Sequence, residues 1–72
     1  MYTIRKIDGR TNEVILDREL MTSPQQFGEA LEREYPAVTY EYPEEGLTRV
    51  RVWKHLALVA FKPKYIYELK RV

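Results

Sequence analysis

Residues 23–36 read SPQQFGEALEREYP and carry the clearest structural signal in the chain. Ser23 can cap a helix, Pro24 suits the first helical position, and Gln26 can complete a capping box. The apolar residues that follow recur at helical spacing and form one stripe: Phe27, Ala30, Leu31 and Tyr35. Pro36 ends the pattern, because the residue before a proline avoids the helical region. We therefore predict one helix between Pro24 and Pro36.

The residues before this helix indicate a β-hairpin. The segment from Tyr2 to Ile7 is rich in residues that favour strands. Asp8 and Gly9 then begin a turn, which Arg10, Thr11 and Asn12 extend. Residues 14–20 resume an extended pattern with apolar and charged side chains on opposite sides. Two strands joined by a short turn are predicted.

The residues after the helix indicate three further strands. Val38 to Tyr42 alternates as a strand, and residues 43–46 (Pro-Glu-Glu-Gly) form a turn. The segment from Leu47 to Phe61 is long, residues 62–64 (Lys-Pro-Lys) interrupt it, and residues 65–72 alternate again. We predict that 47–61 is one strand with a bulge near His55, because no helix cap precedes Trp53 and no glycine follows Phe61.

A helix is the alternative for the second half of that long segment. Its apolar residues also fit helical spacing: Trp53, Leu56, Ala57, Ala60 and Phe61. With the strand interpretation the order is ββαβββ, and short connections favour antiparallel neighbours. The predicted fold is a single small α+β domain over residues 1–72, in which one helix packs on a four- or five-stranded, mainly antiparallel sheet.

Length and composition narrow the class of protein. Seventy-two residues are enough for one small domain, and an apolar content of 44% is typical of a folded chain. The chain has no cysteine, so neither a disulfide nor a thiolate site is expected. Its longest apolar run is Leu56 to Phe61, far shorter than a membrane span, and residues 1–6 lack the apolar stretch of a signal peptide. We expect a soluble cytoplasmic protein with no membrane partner.

Charge is sorted along the chain. Residues 13–47 hold nine acids and two bases, a net charge of −7, whereas residues 48–72 hold seven bases and one acid, a net charge of +6. The first twelve residues add three bases and one acid, which brings the total to +1. Such a field bears on what the surface attracts rather than on the fold. It indicates contact with another macromolecule.

The hairpin turns predict which side chains share a face of the sheet. A turn at 43–46 would place Tyr42 opposite Leu47 and Tyr40 opposite Arg49, and a turn at 62–64 would place Phe61 opposite Tyr65. Val59 would then lie opposite Tyr67. One face would carry an apolar set suited to the helix stripe: Val50, Val52, Leu56, Leu58, Ala60 and Ile66. The other face would carry arginines and aromatic rings with no helix to cover it.

Nucleic-acid binding through that second face is our first hypothesis. Single-stranded bases stack on aromatic rings, and basic side chains neutralise phosphates. The predicted contacts are Tyr40, Arg49, Arg51, Trp53, Lys54, Lys62, Lys64, Tyr65, Tyr67, Lys70 and Arg71. Four-stranded RNA-recognition sheets work on the same physical principle, but their Lys/Arg-Gly-Phe/Tyr signature is absent here and we recognise no family.

Two other interpretations stay open. The same aromatic and arginine residues are common in strands and serve there simply as packing. They also suit a protein interface, in which the chain is an adaptor, an inhibitor of the kind encoded by phages and mobile elements, or a homodimer. In that case the acidic helix and turn are a second candidate surface. Glu68 and the acidic turn Glu41–Glu45 discriminate, because acids beside the aromatic face repel nucleic acid and favour a protein partner.

Residues for catalysis are sparse. His55 is the only histidine, and no serine or cysteine stands at a spacing that indicates an activated nucleophile. The three glycines are scattered singly, so no phosphate-binding loop is predicted. The glutamates of the helix and turn lack calcium-loop spacing and are expected to be solvated. We expect a protein that is not an enzyme and that has no cofactor and no metal site.

Overall fold

The computed structural model describes residues 1–56 and 61–72. Its elements, in chain order, are strands β1 (Tyr2–Asp8) and β2 (Val14–Leu20), helix α1 (Pro24–Glu34), and strands β3 (Ala37–Glu44), β4 (Leu47–Trp53) and β5 (Tyr65–Arg71). The strands form one sheet in the order β2-β1-β5-β4-β3, and every pairing is antiparallel. The predicted α+β fold and ββαβββ order are confirmed, with five strands.

The helix begins and ends where the sequence predicts. The Ser23 hydroxyl oxygen accepts the backbone N–H of Gln26 at 3.2 Å, and Pro24 occupies the first helical position. Tyr35 is already extended, with a φ of −117° and a ψ of 140°. Gly28 and Leu31 are buried against the sheet, but Ala30, which was predicted in the apolar stripe, is exposed.

The core lies between α1 and one face of the central strands. Its buried members are Ile4 of β1, Leu31 of α1, Val50 and Val52 of β4, and Tyr67 and Leu69 of β5. The Phe27 ring meets the Tyr67 ring edge to face, with 5.1 Å between the ring centroids. We call this the helix face of the sheet and the opposite side the open face. Burial of these apolar side chains is the main stabilising contribution.

The predicted register of the β3–β4 hairpin is wrong by one residue. Tyr40 lies opposite Val50, and Glu41 lies opposite Arg49. Glu44 pairs with Leu47 across a short turn in which Gly46 has a φ of +80°, and a bulge lies between Glu41 and Glu44. Because side chains alternate along a strand, this shift moves Tyr40 to the helix face.

The predicted long strand from Leu47 to Phe61 is also wrong. β4 ends at Trp53, and residues 54–56 bend away from the sheet. Tyr65 and Tyr67 therefore pair with Val52 and Val50 of β4, instead of with Phe61 and Val59. Ile66, predicted on the helix face, lies opposite Arg51 on the open face. Residues 57–60 of the proposed strand and of its helical alternative lie outside the described residues.

Candidate functional site

The open face carries a row of alternating charges that crosses all five strands. In order from β2 to β3 the row is Asp17, Arg5, Glu68, Arg49 and Glu41, each directly opposite the next. Arg5 contacts Asp17 at 3.3 Å, Arg49 contacts Glu68 at 3.1 Å, and Arg49 approaches Glu41 at 3.9 Å. Cross-strand pairs of opposite charge stabilise a sheet. We call these five residues the charge ladder.

The charge ladder neutralises arginines that the sequence predicted to be phosphate contacts. Arg49 is bound by two carboxylates, and Arg51 pairs with Glu41 as well. Arg71 lies at the far end of the sheet, 3.5 Å from Glu45, and Lys70 of the same strand lies opposite Leu47. Glu68 and Glu41 thus lie among the arginines of the open face. Acids at these positions repel nucleic acid from the open face. A polyanion would therefore find most arginines of the open face already paired with carboxylates.

The predicted aromatic face does not exist as one surface. Trp53 is 5% exposed, and its indole N–H donates to the carbonyl oxygen of Phe61 at 3.0 Å. Tyr67 is 6% exposed and lies beneath the helix. Tyr40 packs on the helix face with its hydroxyl next to Gly28. The prediction that these three rings form a stacking platform is wrong, because the register shift and the early end of β4 place them in different environments.

Two of these tyrosines have raised pKa values. Burial raises the pKa of Tyr67 most, and the neighbouring Tyr35 hydroxyl, with which it shares a hydrogen bond, adds to the effect. Partial burial, together with a hydrogen bond to the carboxylate of Glu32, raises the pKa of Tyr40 to about 12. Both phenols are therefore neutral at physiological pH and serve the packing of α1 on the sheet.

A different group of basic residues converges at one end of the sheet. It surrounds a cavity of about 380 Å³ where the β1–β2 turn meets residues 53–55 and 62–65. We call this the basic pocket, and its lining residues are Asp8, Arg10, Trp53, Lys54, His55, Lys62, Pro63, Lys64 and Tyr65. Four bases and one acid give it a net charge of +3. Within residues 1–56 and 61–72, none of the four basic side chains has an ion-pair partner.

Backbone contacts hold the basic pocket together. Asp8 lies opposite Tyr65 where β1 pairs with β5, and the N–H of Gly9 donates to the Lys64 carbonyl at 2.9 Å. The N–H of Lys64 in turn donates to the Val52 carbonyl at 2.8 Å. Three segments that are distant in sequence are therefore fixed side by side. This arrangement brings Arg10 next to the lysines.

Gly9 is required by this close approach. A Cβ atom at Gly9 would lie 1.8 Å from the Pro63 carbonyl oxygen and 2.6 Å from its carbon. Both are backbone atoms, so no rotamer change relieves the overlap. The glycine lets the two backbones touch, and the pocket forms around that contact.

The acid in the pocket is engaged by the turn. The Asp8 carboxylate accepts the backbone N–H groups of Arg10 at 2.8 Å and Thr11 at 3.1 Å. These hydrogen bonds lower the pKa of Asp8. Asp8 is therefore ionised at neutral pH, but its oxygen is directed at the backbone. Its charge shapes the turn and attracts Arg10, but within the described residues it forms no ion pair with any of the four bases.

Tyr65 is a pocket residue whose aromatic ring contacts lysine side chains. The Lys6 ammonium lies 4.1 Å from the centroid of its ring, and the Lys64 ammonium lies 5.5 Å from it. Cation–π contacts of this kind stabilise lysine side chains in a fixed position. Tyr65 is partly exposed, so part of the ring stays accessible to a ligand.

The structure brings together five of the eleven predicted site residues: Trp53, Lys54, Lys62, Lys64 and Tyr65. It separates the other six, which lie in the charge ladder and beside it, on the helix face, or at the far end. Sequence reasoning missed Arg10 and treated His55 as structural, although both line the pocket. The signal for Arg10 was the Asp8-Gly9 turn, but its relevance depends on the pairing of β1 with β5, which has no local signature.

The described residues contain neither a metal centre nor a membrane-spanning helix. Within the described ranges, no group of three histidine, aspartate or glutamate side chains is arranged to hold a metal ion. Nor does that part of the chain contain a helix long and apolar enough to cross a membrane. No family model, curated protein or solved structure matches the chain at a significant level. The interpretation of the basic pocket therefore rests on its own geometry.

Proposed function

We propose that this protein is a non-enzymatic nucleic-acid-binding module that contacts its ligand through the basic pocket. One observation carries the proposal: Arg10, Lys54, Lys62 and Lys64 gather around a single cavity without an acidic partner in the described residues. Like charges held close together repel one another, so this arrangement is costly for the free protein. A polyanion relieves that repulsion.

Single-stranded nucleic acid fits the pocket better than a duplex. The pocket is a concavity at the end of the sheet, lined by the β1–β2 turn and by residues 53–55 and 62–65, whereas a major groove takes a projecting helix or β-ribbon. A flexible strand can bend to place successive phosphates among the four bases. The Tyr65 ring and the exposed His55 ring offer limited stacking for one or two bases. Affinity should therefore be mainly electrostatic and tolerant of sequence.

The experiment is a salt series of fluorescence anisotropy with a labelled oligothymidylate strand. Three to four phosphate contacts predict that log K falls with log salt with a slope of about −2 to −3. The double variant Lys62→Gln/Lys64→Gln should weaken binding at low salt and reduce the slope by about 1.4, since each lost contact contributes roughly 0.7. The matched control is Arg18→Gln/Lys70→Gln, which removes the same charge at two exposed residues outside the pocket.

Two results would reject the proposal. The first is the absence of any anisotropy change at low salt. The second is an equal loss of binding in Lys62→Gln/Lys64→Gln and in Arg18→Gln/Lys70→Gln, which would mean that net charge alone, and not the pocket, attracts the strand.

A further inference from the structure

A second concave surface lies on the opposite border of the sheet, between the helix and strand β3. β3 is the last strand in the sheet order, and in the described part of the chain no strand pairs with its outer edge. A groove of about 440 Å³ lies between α1 and residues of β3 and β4 at this side of the sheet. We call it the acidic groove, and its lining residues are Pro24, Gln25, Gly28, Glu29, Glu32, Tyr40, Tyr42 and Thr48.

The acidic groove has glutamates on the side formed by α1 and tyrosines on the side formed by β3. Glu29 and Glu32 project from α1, and the lining contains no basic residue. Glu29 accepts a hydrogen bond from the neutral Gln25 amide at 3.3 Å, and within the described residues neither Glu29 nor Glu32 forms an ion pair. Tyr42 is 72% exposed. The net charge of the lining is −2, so the groove suits a positively charged occupant.

The unpaired edge of β3 indicates how such an occupant would bind. An exposed strand edge presents N–H and C=O groups that pair with another extended chain. Strand addition of this kind takes affinity from main-chain hydrogen bonds and specificity from pockets that receive every second side chain. In the acidic groove these alternate side chains would meet Tyr42, Glu29 and Glu32.

We propose that the acidic groove binds an extended basic segment of a partner protein, which pairs with β3 as a sixth strand. Lysine or arginine at every second position of that segment points toward α1 and meets its two glutamates. The stems of these side chains pack on the tyrosine rings, while their charged heads stay near the carboxylates. This surface is independent of the basic pocket, so either proposal can fail alone.

Charge also selects against the other occupants of the edge. A second copy of the chain would bring its own edge strands, of which β2 (Asp17, Arg18 and Glu19) has a net charge of −1 and β3 (Glu41 and Glu44) a net charge of −2. Pairing two acidic edges places like charges together, which destabilises a sheet. Nucleic acid is repelled by Glu29 and Glu32 for the same reason. A basic peptide remains the occupant that matches both the edge and the groove.

The test uses two labelled peptides of identical composition, Lys-Thr-Lys-Thr-Lys-Thr-Lys-Thr and Lys-Lys-Lys-Lys-Thr-Thr-Thr-Thr. Only the first places all of its lysines on one face of a strand. We expect it to bind at least about tenfold more tightly, the ratio that corresponds to about 1.4 kcal/mol. Amide hydrogen exchange should slow in β3 when the alternating peptide is added. Equal binding of the two peptides, or no binding of either, would overturn the proposal.

Protein variants complete the test. Glu29→Lys/Glu32→Lys should weaken the alternating peptide by at least about tenfold. Glu13→Lys/Glu19→Lys makes the same change in net charge at the β2 border and should leave its affinity within about twofold. Tyr42→Thr keeps a strand-forming residue and should weaken binding severalfold even if the charge variant is unstable. Equal losses in the two double variants, or unchanged binding in Tyr42→Thr, would contradict the assigned groove.

Discussion

Replacing Gly9 with alanine tests whether the contact between the β1–β2 turn and residues 63–64 builds the basic pocket. The new Cβ would lie 1.8 Å from the Pro63 carbonyl oxygen, whereas real Cβ contacts essentially never fall below 3.0 Å. The two backbones must therefore separate by about 1.2 Å, the difference between these two distances. A shift of that size stretches the 2.9 Å hydrogen bond from the Gly9 N–H to the Lys64 carbonyl beyond its useful range.

The expected loss of stability is about 2 kcal/mol. Gly9 is buried, so its N–H would lose its partner away from water, which costs about 1–3 kcal/mol. A chain of 72 residues has a total unfolding free energy of roughly 4–11 kcal/mol. The substitution should therefore lower Tm by about 8–16 °C. It should also weaken oligonucleotide binding, because Arg10 moves away from Lys62 and Lys64.

Gly28→Ala is the matched control for this prediction. The added Cβ would meet only side-chain atoms of Tyr40, with the hydroxyl at 2.8 Å, and that ring can shift. Alanine gains about 1 kcal/mol of helix propensity, which offsets the weakened hydrogen bond between Tyr40 and Glu32. Urea unfolding followed by the fluorescence of Trp53, the single tryptophan, measures both variants. A loss in Gly9→Ala no larger than that in Gly28→Ala would refute the close-contact argument.

Two further predictions concern the charge ladder and Tyr40. Glu68→Gln should lower the unfolding free energy by about 1 kcal/mol, because Glu68 lies between Arg5 and Arg49 and its side chain is only 21% exposed. The control is Glu45→Gln, which should change the unfolding free energy little because the Glu45 side chain is 92% exposed. The difference should shrink in 1 M salt, and persistence there would argue against an electrostatic origin. Because the pKa of Tyr40 is raised to about 12 from 10.0, its contribution to stability is complete below pH 10 and is lost as the pH rises to 12. Tyr40→Phe should therefore flatten the fall in urea midpoint across that window, and an unchanged fall would show that other groups cause it.

The helix and the order of elements could be predicted because their signals are local. Ser23, Pro24 and Pro36 fix the ends of the helix through contacts within a few residues. Alternation in the same way identifies strands before their partners are known. These features depend on the residues of one short segment, so the sequence of that segment is enough to predict them.

The faces of the sheet could not be predicted, because they depend on one-residue details of the turns. The bulge between Glu41 and Glu44 shifts the register of β3 and moves Tyr40 from one face to the other. The end of β4 at Trp53 has a similar effect on the partners of Tyr65 and Tyr67. A one-residue error at the first turn and a misplaced strand end before the second were therefore enough to assemble an aromatic face from side chains that lie apart.

The sorting of charge along the chain explains why the two candidate sites lie away from the open face. The β3–β4 hairpin joins the acidic part of the sequence to the basic part, so Glu41 comes to lie between Arg49 and Arg51. Every ion pair among the described residues uses arginine, whose planar guanidinium suits a carboxylate, and none uses lysine. Uncompensated charge is left where no opposite strand supplies a partner: on Lys54, Lys62 and Lys64 between β4 and β5, and on glutamates at the exposed side of α1. A macromolecule attracted by charge should therefore bind at these borders of the sheet, and replacing open-face arginines should change stability more than binding.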